Sequence, residues 1–208
     1  MKIVSGNFRG YRVQGGKVPE VKPTQGNIRE AFFNILSSTV EFSEIAFLDL
    51  FCGFGGNGLE AMSRGAKSVT FVDQSSAAIK YLRQNLTEVK DKFPLDEGQE
   101  HFVLKRDALS SFKFLGTRKV FFDVVFLDPP YDTELAREVS FALLNSYFRR
   151  NSLLNKGFIV GLEWTFNDNR DLEEDLSKTF RLEERNISIE NRKYGSHSLL
   201  ILKAENQE

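Results

Sequence analysis

Four consecutive residues, Asp128-Pro129-Pro130-Tyr131, place an acid, two imino acids and an aromatic ring directly after an apolar run that ends at Leu127. The prolines fix the backbone and carry no N–H, so their carbonyl oxygens and the Asp128 carboxylate can accept both hydrogens of a planar NH₂ group. This localises the nitrogen lone pair for attack on an electrophilic methyl group, and Tyr131 offers a ring on which an extruded base can stack. The motif predicts methyl transfer to an exocyclic amine. A strand end with a proline turn is the simpler alternative.

A glycine-rich segment lies earlier in the chain, where Gly53, Gly55 and Gly58 have the spacing Gly-x-Gly-x-x-Gly after an apolar run. Such glycines let the backbone approach a ligand and direct helix N-terminal amides toward it. Asp49, just before this loop, would repel a pyrophosphate but suits an ammonium group. The segment therefore favours a sulfonium cofactor with an α-amino acid tail over a dinucleotide, with a tight turn that binds nothing as the alternative.

Two further acids follow predicted strands. Asp73 ends the strand after the glycine loop, at the distance where an acid usually binds the hydroxyl pair of a ribose. Asp107 follows the next strand and can accept a hydrogen bond from an adenine amino group, or it can simply cap the loop. Together with the glycines, these acids indicate an adenosine-containing cofactor.

The elements that must position these residues alternate along the chain. Apolar runs predict strands at 45–51, 68–72, 101–105, 121–127 and 157–163, and helical spacing is found at 28–36, 57–64, 75–86 and 134–148. The polar stretch 87–100 predicts a loop, and the chain closes with a predicted β pair at 180–189 and 198–202. Such alternation predicts a parallel, doubly wound α/β sheet with an antiparallel C-terminal edge.

Composition excludes several classes of protein. The chain has 208 residues, of which 41% are hydrophobic and 27% charged, as expected for one folded domain rather than a disordered chain. A single cysteine, Cys52, cannot form an internal disulfide, and two histidines beside it make a poor set of metal ligands. No apolar run is long enough for a membrane span, so we expect a cytoplasmic protein without a metal.

The N-terminal segment carries more positive charge than the rest of the chain. The net charge is −1, yet residues 1–29 contain only one acid, Glu20, against six cations: Lys2, Arg9, Arg12, Lys17, Lys22 and Arg29. A basic arm on a neutral body suggests an anionic partner, and a solvated tail is the alternative. We divide the chain into a basic N-terminal extension, 1–25, and a main domain, 26–208.

Taken together, these motifs resemble a known family. The Asp-Pro-Pro-Tyr sequence is similar to that of amino methyltransferases that use S-adenosylmethionine, and nearly the whole chain resembles the RsmD type of bacterial 16S rRNA (guanine-N2)-methyltransferase. The similar segments are 2–6, 8–10, 22–24, 28–36, the glycine loop, 60–61, 63–66, 71–73, 107–108, 126–131 and 192–195.

The resemblance implies a Rossmann-like fold with a mostly parallel seven-stranded sheet, S-adenosylmethionine as cofactor, and N2 of a guanine in 16S rRNA, of the guanine-966 type, as target. The substrate would be the 30S subunit or its assembly intermediate, and the enzyme a monomer. The implied catalytic residues are Asp128, Pro129, Pro130 and Tyr131. The implied cofactor-binding residues are Asn34, Asp49, Phe51, Gly53, Gly55, Asp73, Gln74, Asp107 and Ala108. The implied RNA-binding residues are Arg9, Arg12, Lys22, Arg29 and Tyr194.

Some residues depart from the family pattern. Cys52 and Phe54 stand where the family usually has small residues, which predicts a narrower cofactor pocket, and 24–27 lacks the usual acid and arginine. The connection 87–100 is also longer than usual. Two other functions stay open: methylation of adenine N6 in DNA, which uses the same amine chemistry, and a non-catalytic RNA-binding assembly factor that retains the fold.

Overall fold

The structure, a computed structural model, describes residues 1–16, 26–130, 133–149, 152–165 and 172–205. The strands in these ranges are β1 (Ala46–Leu50), β2 (Ser68–Asp73), β3 (Glu100–Lys105), β4 (Phe122–Leu127), β5 (Leu154–Thr165), β6 (Ile187–Tyr194) and β7 (His197–Ala204). The α-helices are α1 (Gly26–Ser37), α2 (Gly56–Ser63), α3 (Ser76–Lys92), α4 (Ala108–Thr117), α5 (Thr133–Tyr147) and α6 (Leu172–Phe180). Single 3₁₀ turns precede β1 and β6.

The strands form one sheet in the order β3-β2-β1-β4-β5-β7-β6. Strands β1 to β5 are parallel to one another, and β7 runs antiparallel to both β5 and β6. This confirms the predicted mostly parallel, doubly wound sheet with an antiparallel C-terminal pair. The chain winds outward in opposite directions from β1 and β4, and ligands of such sheets bind in the crevice outside the carboxyl ends of these two strands.

Each face of the sheet is covered by helices. Apolar residues of α1, α2 and α3 pack on one face in a cluster with Phe47, Val69 and Phe126. Apolar residues of α4, α5 and α6 pack on the other face with Leu48, Val72 and Val125. Because neighbouring residues of a strand point to opposite faces, continuous apolar strands are what this three-layer arrangement requires.

The N-terminal arm, here residues 1–16, packs on the domain. Ile3, Phe8 and Tyr11 are buried in the same cluster as α1 and α3. The buried carboxylate of Glu60 accepts from the backbone N–H groups of Val4, at 2.8 Å, and Ser5, at 3.1 Å. The alternative of a solvated tail is therefore wrong for these sixteen residues. The predicted boundary at residue 25 lies outside the described residues.

Three stretches differ from the sequence-based expectations. Helix α3 continues to Lys92, so the predicted loop 87–100 is helical in its first part, because Leu86 and Val89 extend its buried face. Helix α4 was not predicted. Helix α6 ends at Phe180 and a 3₁₀ turn follows, so the predicted strand 180–189 begins only at Ile187. Leu172, Leu176 and Phe180 recur every four residues and are buried, which favours the helix. In the part of the chain described here, no helix is long and apolar enough to cross a bilayer.

Candidate active site at the carboxyl edge of the sheet

The glycine loop between β1 and α2 has an unusual backbone. Phe51, Gly53 and Gly55 all have positive φ, at 64°, 52° and 89°. Of these three residues, only Phe51 has a side chain. A positive φ in such a residue costs on the order of 1–3 kcal/mol, and residues with this strain are concentrated at functional sites. A Cβ on Gly55 would lie 2.4 Å from Leu82 Cδ1. Gly55 therefore has a packing role in addition to any contact with a ligand.

Asp49 is fully buried at the end of β1, directly below this loop. Its Oδ2 accepts from the N–H of Gly58 at 2.8 Å, whereas Oδ1 has no hydrogen-bond partner among the described residues. The pKa of Asp49 is raised to about 8, chiefly by burial and also by the nearby carboxylates of Asp128 and Asp73, while hydrogen bonds from the Gly58 N–H and the Asn57 side chain act to lower it. A buried acid with an open oxygen beside two other acids is a place where a cationic group would be stabilised.

Asp73 joins two segments of the site. Its Oδ2 accepts from the N–H of Gly53 at 2.9 Å, and its Oδ1 accepts from the N–H of Ser75 at 2.8 Å. The carboxylate thereby holds the glycine loop against the turn that begins α3. It is half-buried, and Gln74 beside it is exposed. The predicted contact between Asp73 and a ribose stays a prediction.

Asp107 is the N-cap residue of α4. Its Oδ1 accepts from the N–H of Ser110 at 2.9 Å, and the hydrogen bonds from Ser110 lower the pKa of the Asp107 carboxyl. This confirms the capping role that the sequence left open. Asp107 is exposed and Ala108 buried. The predicted contact with adenine stays a prediction for both residues.

The Asp-Pro-Pro motif follows β4, next to the glycine loop. In the parallel pairing of β1 with β4, Leu50 is the register partner of Leu127, so Asp128 comes opposite Phe51. The Asp128 N–H donates to Leu50 O at 3.4 Å. Asp128 is half-buried, Pro129 is buried and Pro130 is exposed, while Tyr131 lies outside the described residues. Asp128 thus lies close enough to Asp49 for their charges to interact, and Pro129 follows it at the same strand end.

The residues predicted to contact RNA lie in different environments. Arg9 and Arg12 are exposed on the N-terminal arm, and Tyr194 is half-buried at the end of β6. Lys22 lies outside the described residues. Arg29 is only 4% exposed, and its Nη2 donates to Lys2 O at 3.1 Å, so in this structure its guanidinium fastens the arm to α1 rather than facing solvent.

Asn34 and Phe54 lie in different surroundings. Asn34 is exposed on α1, and its predicted contact with the cofactor stays a prediction. The Phe54 ring packs edge-on against Tyr81, with their ring centroids 5.3 Å apart. A Cβ on Gly15 would lie 2.6 Å from that same ring. Phe54 therefore fills the space between α3 and the N-terminal arm.

Asn85, a residue that the sequence did not single out, connects the arm to the glycine loop. It is fully buried, and its Oδ1 accepts from Tyr11 Oη at 2.9 Å and from the N–H of Gln14 at 2.8 Å. Its Nδ2 donates to Gln14 O at 2.9 Å and to Phe54 O at 3.0 Å. The signal that could have identified Asn85 is its position on the apolar side of α3, between Leu82 and Leu86.

Solved structures with a similar fold define the class of protein. The Escherichia coli protein yhhF, described as a candidate methyltransferase, has a TM-score of 0.74 and 25% identity, and covers 100% of this chain and 99% of its own. SMU.776, described likewise and solved with SAH, has a TM-score of 0.62 and 13% identity over 89% of this chain and 50% of its own. This second likeness shows the fold alone. The fold is that of a Rossmann-like methyltransferase.

The sequence identifies the family within this class. Residues 1–201 match the family described as conserved hypothetical protein 95, and the chain belongs to that family. It is 31% identical over 172 residues to the ribosomal RNA small subunit methyltransferase D of Haemophilus influenzae, covering 79% of this chain and 85% of that protein. The predicted resemblance to RsmD-type enzymes is confirmed.

Proposed function

We propose that this methyltransferase uses S-adenosylmethionine to methylate N2 of a guanine in 16S rRNA, of the guanine-966 type. The observation that carries the proposal is the pairing of a buried, half-satisfied Asp49 with the Asp128-Pro129 segment at the neighbouring strand end. The name of the Haemophilus influenzae relative supports an rRNA substrate. We place the substrate in the 30S subunit or its assembly intermediate, and the enzyme in the cytoplasm as a monomer.

The residues present fit S-adenosylmethionine. Its α-ammonium group would neutralise Asp49, whose free Oδ1 and raised pKa make a cation favourable there. The loop with positive φ values follows Asp49 closely in sequence, and the Gly58 N–H at the start of α2 contacts the same carboxylate. Asp73 would take the ribose and Asp107 the adenine. When bound, the cofactor supplies the electrophilic methyl group.

The protein's part in the reaction is to orient the amine and to stabilise charge. The Asp128 carboxylate and the proline carbonyl oxygens would accept the two hydrogens of the guanine amino group, which directs its lone pair toward the methyl carbon. As the N–C bond would form, the S–C bond to the methyl group would break and release the neutral thioether. Positive charge would develop on N2, which then loses a proton to solvent, and Asp128 is the charged group placed to stabilise that charge. Tyr131 would stack on the extruded base.

The test is to identify the methylated nucleoside. Purified protein and radiolabelled S-adenosylmethionine are incubated separately with naked 16S rRNA, 30S particles from cells lacking the enzyme, and unmethylated DNA. The proposal predicts N2-methylguanosine in rRNA. Label confined to N6-methyladenine in DNA would establish the first alternative function. Absence of transfer to any substrate, with rRNA still bound, would establish the non-catalytic assembly factor.

A further inference from the structure

A basic and aromatic surface lies on α4 and the adjoining edge strand β3, away from the N-terminal arm. We call it the α4 surface and define it by Phe102, Arg106, Lys113, Phe114, Arg118 and Lys119. Residues 105–119 contain five cations and one acid, Asp107, although the whole chain has a net charge of −1. This local excess of positive charge is therefore not a property of the protein as a whole.

Two arginines of the α4 surface share one aromatic ring. The guanidinium carbons of Arg106 and Arg118 lie 4.3 and 3.7 Å from the ring centroid of Phe114. Stacking on a ring restrains a guanidinium while leaving its N–H edges available for planar or bidentate contacts with phosphate. Both arginines are exposed, as are Lys113 and Lys119. In the described part of the chain, no carboxylate forms an ion pair with any of these four cations.

Phe102 adds an exposed aromatic ring to this surface. It is 51% exposed, which is unusual for a phenylalanine in a strand. It lies on β3, the outermost strand on this side of the sheet, and pairs in register with Thr70 of β2. Leu104, two residues further along the same face, packs against the cluster that contains Phe112 and Leu115 of α4. Phe102 therefore lies on the same side of the sheet as α4.

The α4 surface also begins at the edge of the sheet where the candidate active site lies. Arg106 directly follows the carboxyl end of β3 and precedes Asp107, the residue proposed to contact adenine. A nucleic-acid strand that entered the site could continue past Arg106 and along α4. Exposed guanidinium groups with an exposed aromatic ring suit phosphates and an unpaired base together.

We propose that the α4 surface binds the phosphate backbone of the RNA substrate, with Phe102 stacking on an unpaired base. The inference rests on the proposed function and assigns a second RNA-contacting surface, separate from the N-terminal arm. The phosphates of an RNA backbone suit guanidinium groups that are restrained by stacking and form no ion pair with a described carboxylate. An unpaired base would stack on the exposed Phe102. An acidic surface of a ribosomal protein would pair with the cations of the α4 surface but would leave the Phe102 ring without a stacking partner.

The experiment compares two double substitutions that remove the same charge. Arg106→Gln/Arg118→Gln alters the α4 surface, and Lys67→Gln/Lys156→Gln removes two exposed lysines near the starts of β2 and β5, at the opposite edge of the sheet. Binding to naked 16S rRNA is measured from 50 to 300 mM salt. We expect the first variant to bind about tenfold more weakly near physiological salt, with a salt slope reduced by about 1.4, and the second to match the wild type.

Two further variants separate charge from stacking. Arg106→Lys/Arg118→Lys keeps both charges, so its salt slope should stay close to that of the wild type. Phe102→Ala should weaken rRNA binding about fivefold without changing the slope, because a stacked base carries no counterion release. Equal behaviour of the glutamine variant and its lysine control toward naked rRNA would overturn the inference. So would a defect seen with 30S particles alone, since that result assigns the surface to a ribosomal protein.

The same proteins keep this inference distinct from the proposed function. If the wild type methylates rRNA and the α4 variant binds and methylates it equally well, only the surface assignment fails. If the wild type binds rRNA with the expected dependence on Arg106 and Arg118 but transfers no methyl group, the surface assignment stands and the proposed function fails. Binding of S-adenosylmethionine by every variant, measured by calorimetry, shows that each one is folded.

Discussion

At the scale of single residues, the surroundings of Asp49 differ from those of a structural aspartate. A structural buried acid has its oxygens satisfied, as Glu60 does through Val4, Ser5 and Arg64. Asp49 instead keeps Oδ1 without a partner among the described residues and lies near two other carboxylates. Leaving a buried carboxylate unsatisfied destabilises the unliganded protein, and a bound cation would remove that penalty.

We expect Asp49→Asn to change how stability depends on pH. The folded pKa of Asp49 is about 8, above the value of 3.8 for an ordinary aspartate. Between these values the folded state holds a proton that the unfolded state has released, so the stability of the wild type falls as pH rises through this window. Asparagine has no proton to release in this window, so the stability of Asp49→Asn should fall less than that of the wild type as pH rises. Thermal unfolding without ligand at pH 5 and pH 8 measures the difference, and equal declines would contradict the shift.

The raised pKa of Asp49 should also make cofactor binding depend on proton release. Because an ammonium group favours the ionised form of Asp49, binding of S-adenosylmethionine near pH 7 should release a proton. Calorimetry in two buffers with different ionisation enthalpies measures this release. It should disappear in Asp49→Asn, together with part of the affinity. A proton release that persists in this variant would place the titrating group elsewhere.

Asp128→Ala should affect methyl transfer more than binding. The substitution removes one acceptor for the guanine amino group and the charge that stabilises the developing cation, at a cost of about 3 kcal/mol in the transition state. We expect at least a hundredfold lower rate on 30S particles, with nearly unchanged affinity for S-adenosylmethionine. Tyr131→Phe is the matched mild variant, because it keeps the ring and should slow transfer far less than Tyr131→Ala. A near wild-type rate for Asp128→Ala would exclude the proposed mechanism.

At the scale of elements, sequence patterns predicted the strands better than the helices. Strands β1, β2 and β4 are buried on both faces and give continuous apolar runs, so their positions could be predicted to within about two residues. Helix α4 was missed because its buried positions include Ala108 and Ser111, which carry little apolar signal. The glycine loop and its acids could be predicted because they are consecutive in sequence. The contacts of Asn85 could not be predicted, since its partners Gln14 and Phe54 lie 71 and 31 positions away.

Asn85→Ala should reveal a coupling between α3, the N-terminal arm and the glycine loop. The variant loses the bond from Nδ2 to Phe54 O, which holds the loop, so we expect a KM for S-adenosylmethionine raised several-fold and a lower Tm, with kcat nearly unchanged at saturating cofactor. Tyr11→Phe is the control, because it removes only a bond between the arm and α3 and leaves the loop bond in place. A KM raised equally in both variants would show general destabilisation rather than positioning of the loop.

At the scale of the whole molecule, the net charge of −1 conceals two separate basic surfaces. The N-terminal arm exposes Arg9 and Arg12 on the layer that contains α1 and α3, while the α4 surface lies on the opposite layer. Both layers meet at the carboxyl edge of the sheet, where Asp49 and Asp128 lie. An RNA that reaches this edge could therefore be held from both sides, although the protein as a whole is slightly acidic.

The two surfaces should contribute independently to RNA binding. Each pair of arginines, Arg9 with Arg12 and Arg106 with Arg118, would neutralise two phosphates, and each phosphate contact adds about 0.7 to the salt slope for single-stranded RNA. We expect a slope reduced by about 1.4 for either double glutamine variant and by about 2.8 for the quadruple variant, because sites on opposite layers share no partners. Titrations of naked 16S rRNA at several salt concentrations measure all three, with S-adenosylmethionine affinity as the control for folding. A quadruple variant no weaker than one of the doubles would mean that the RNA is held from one side only.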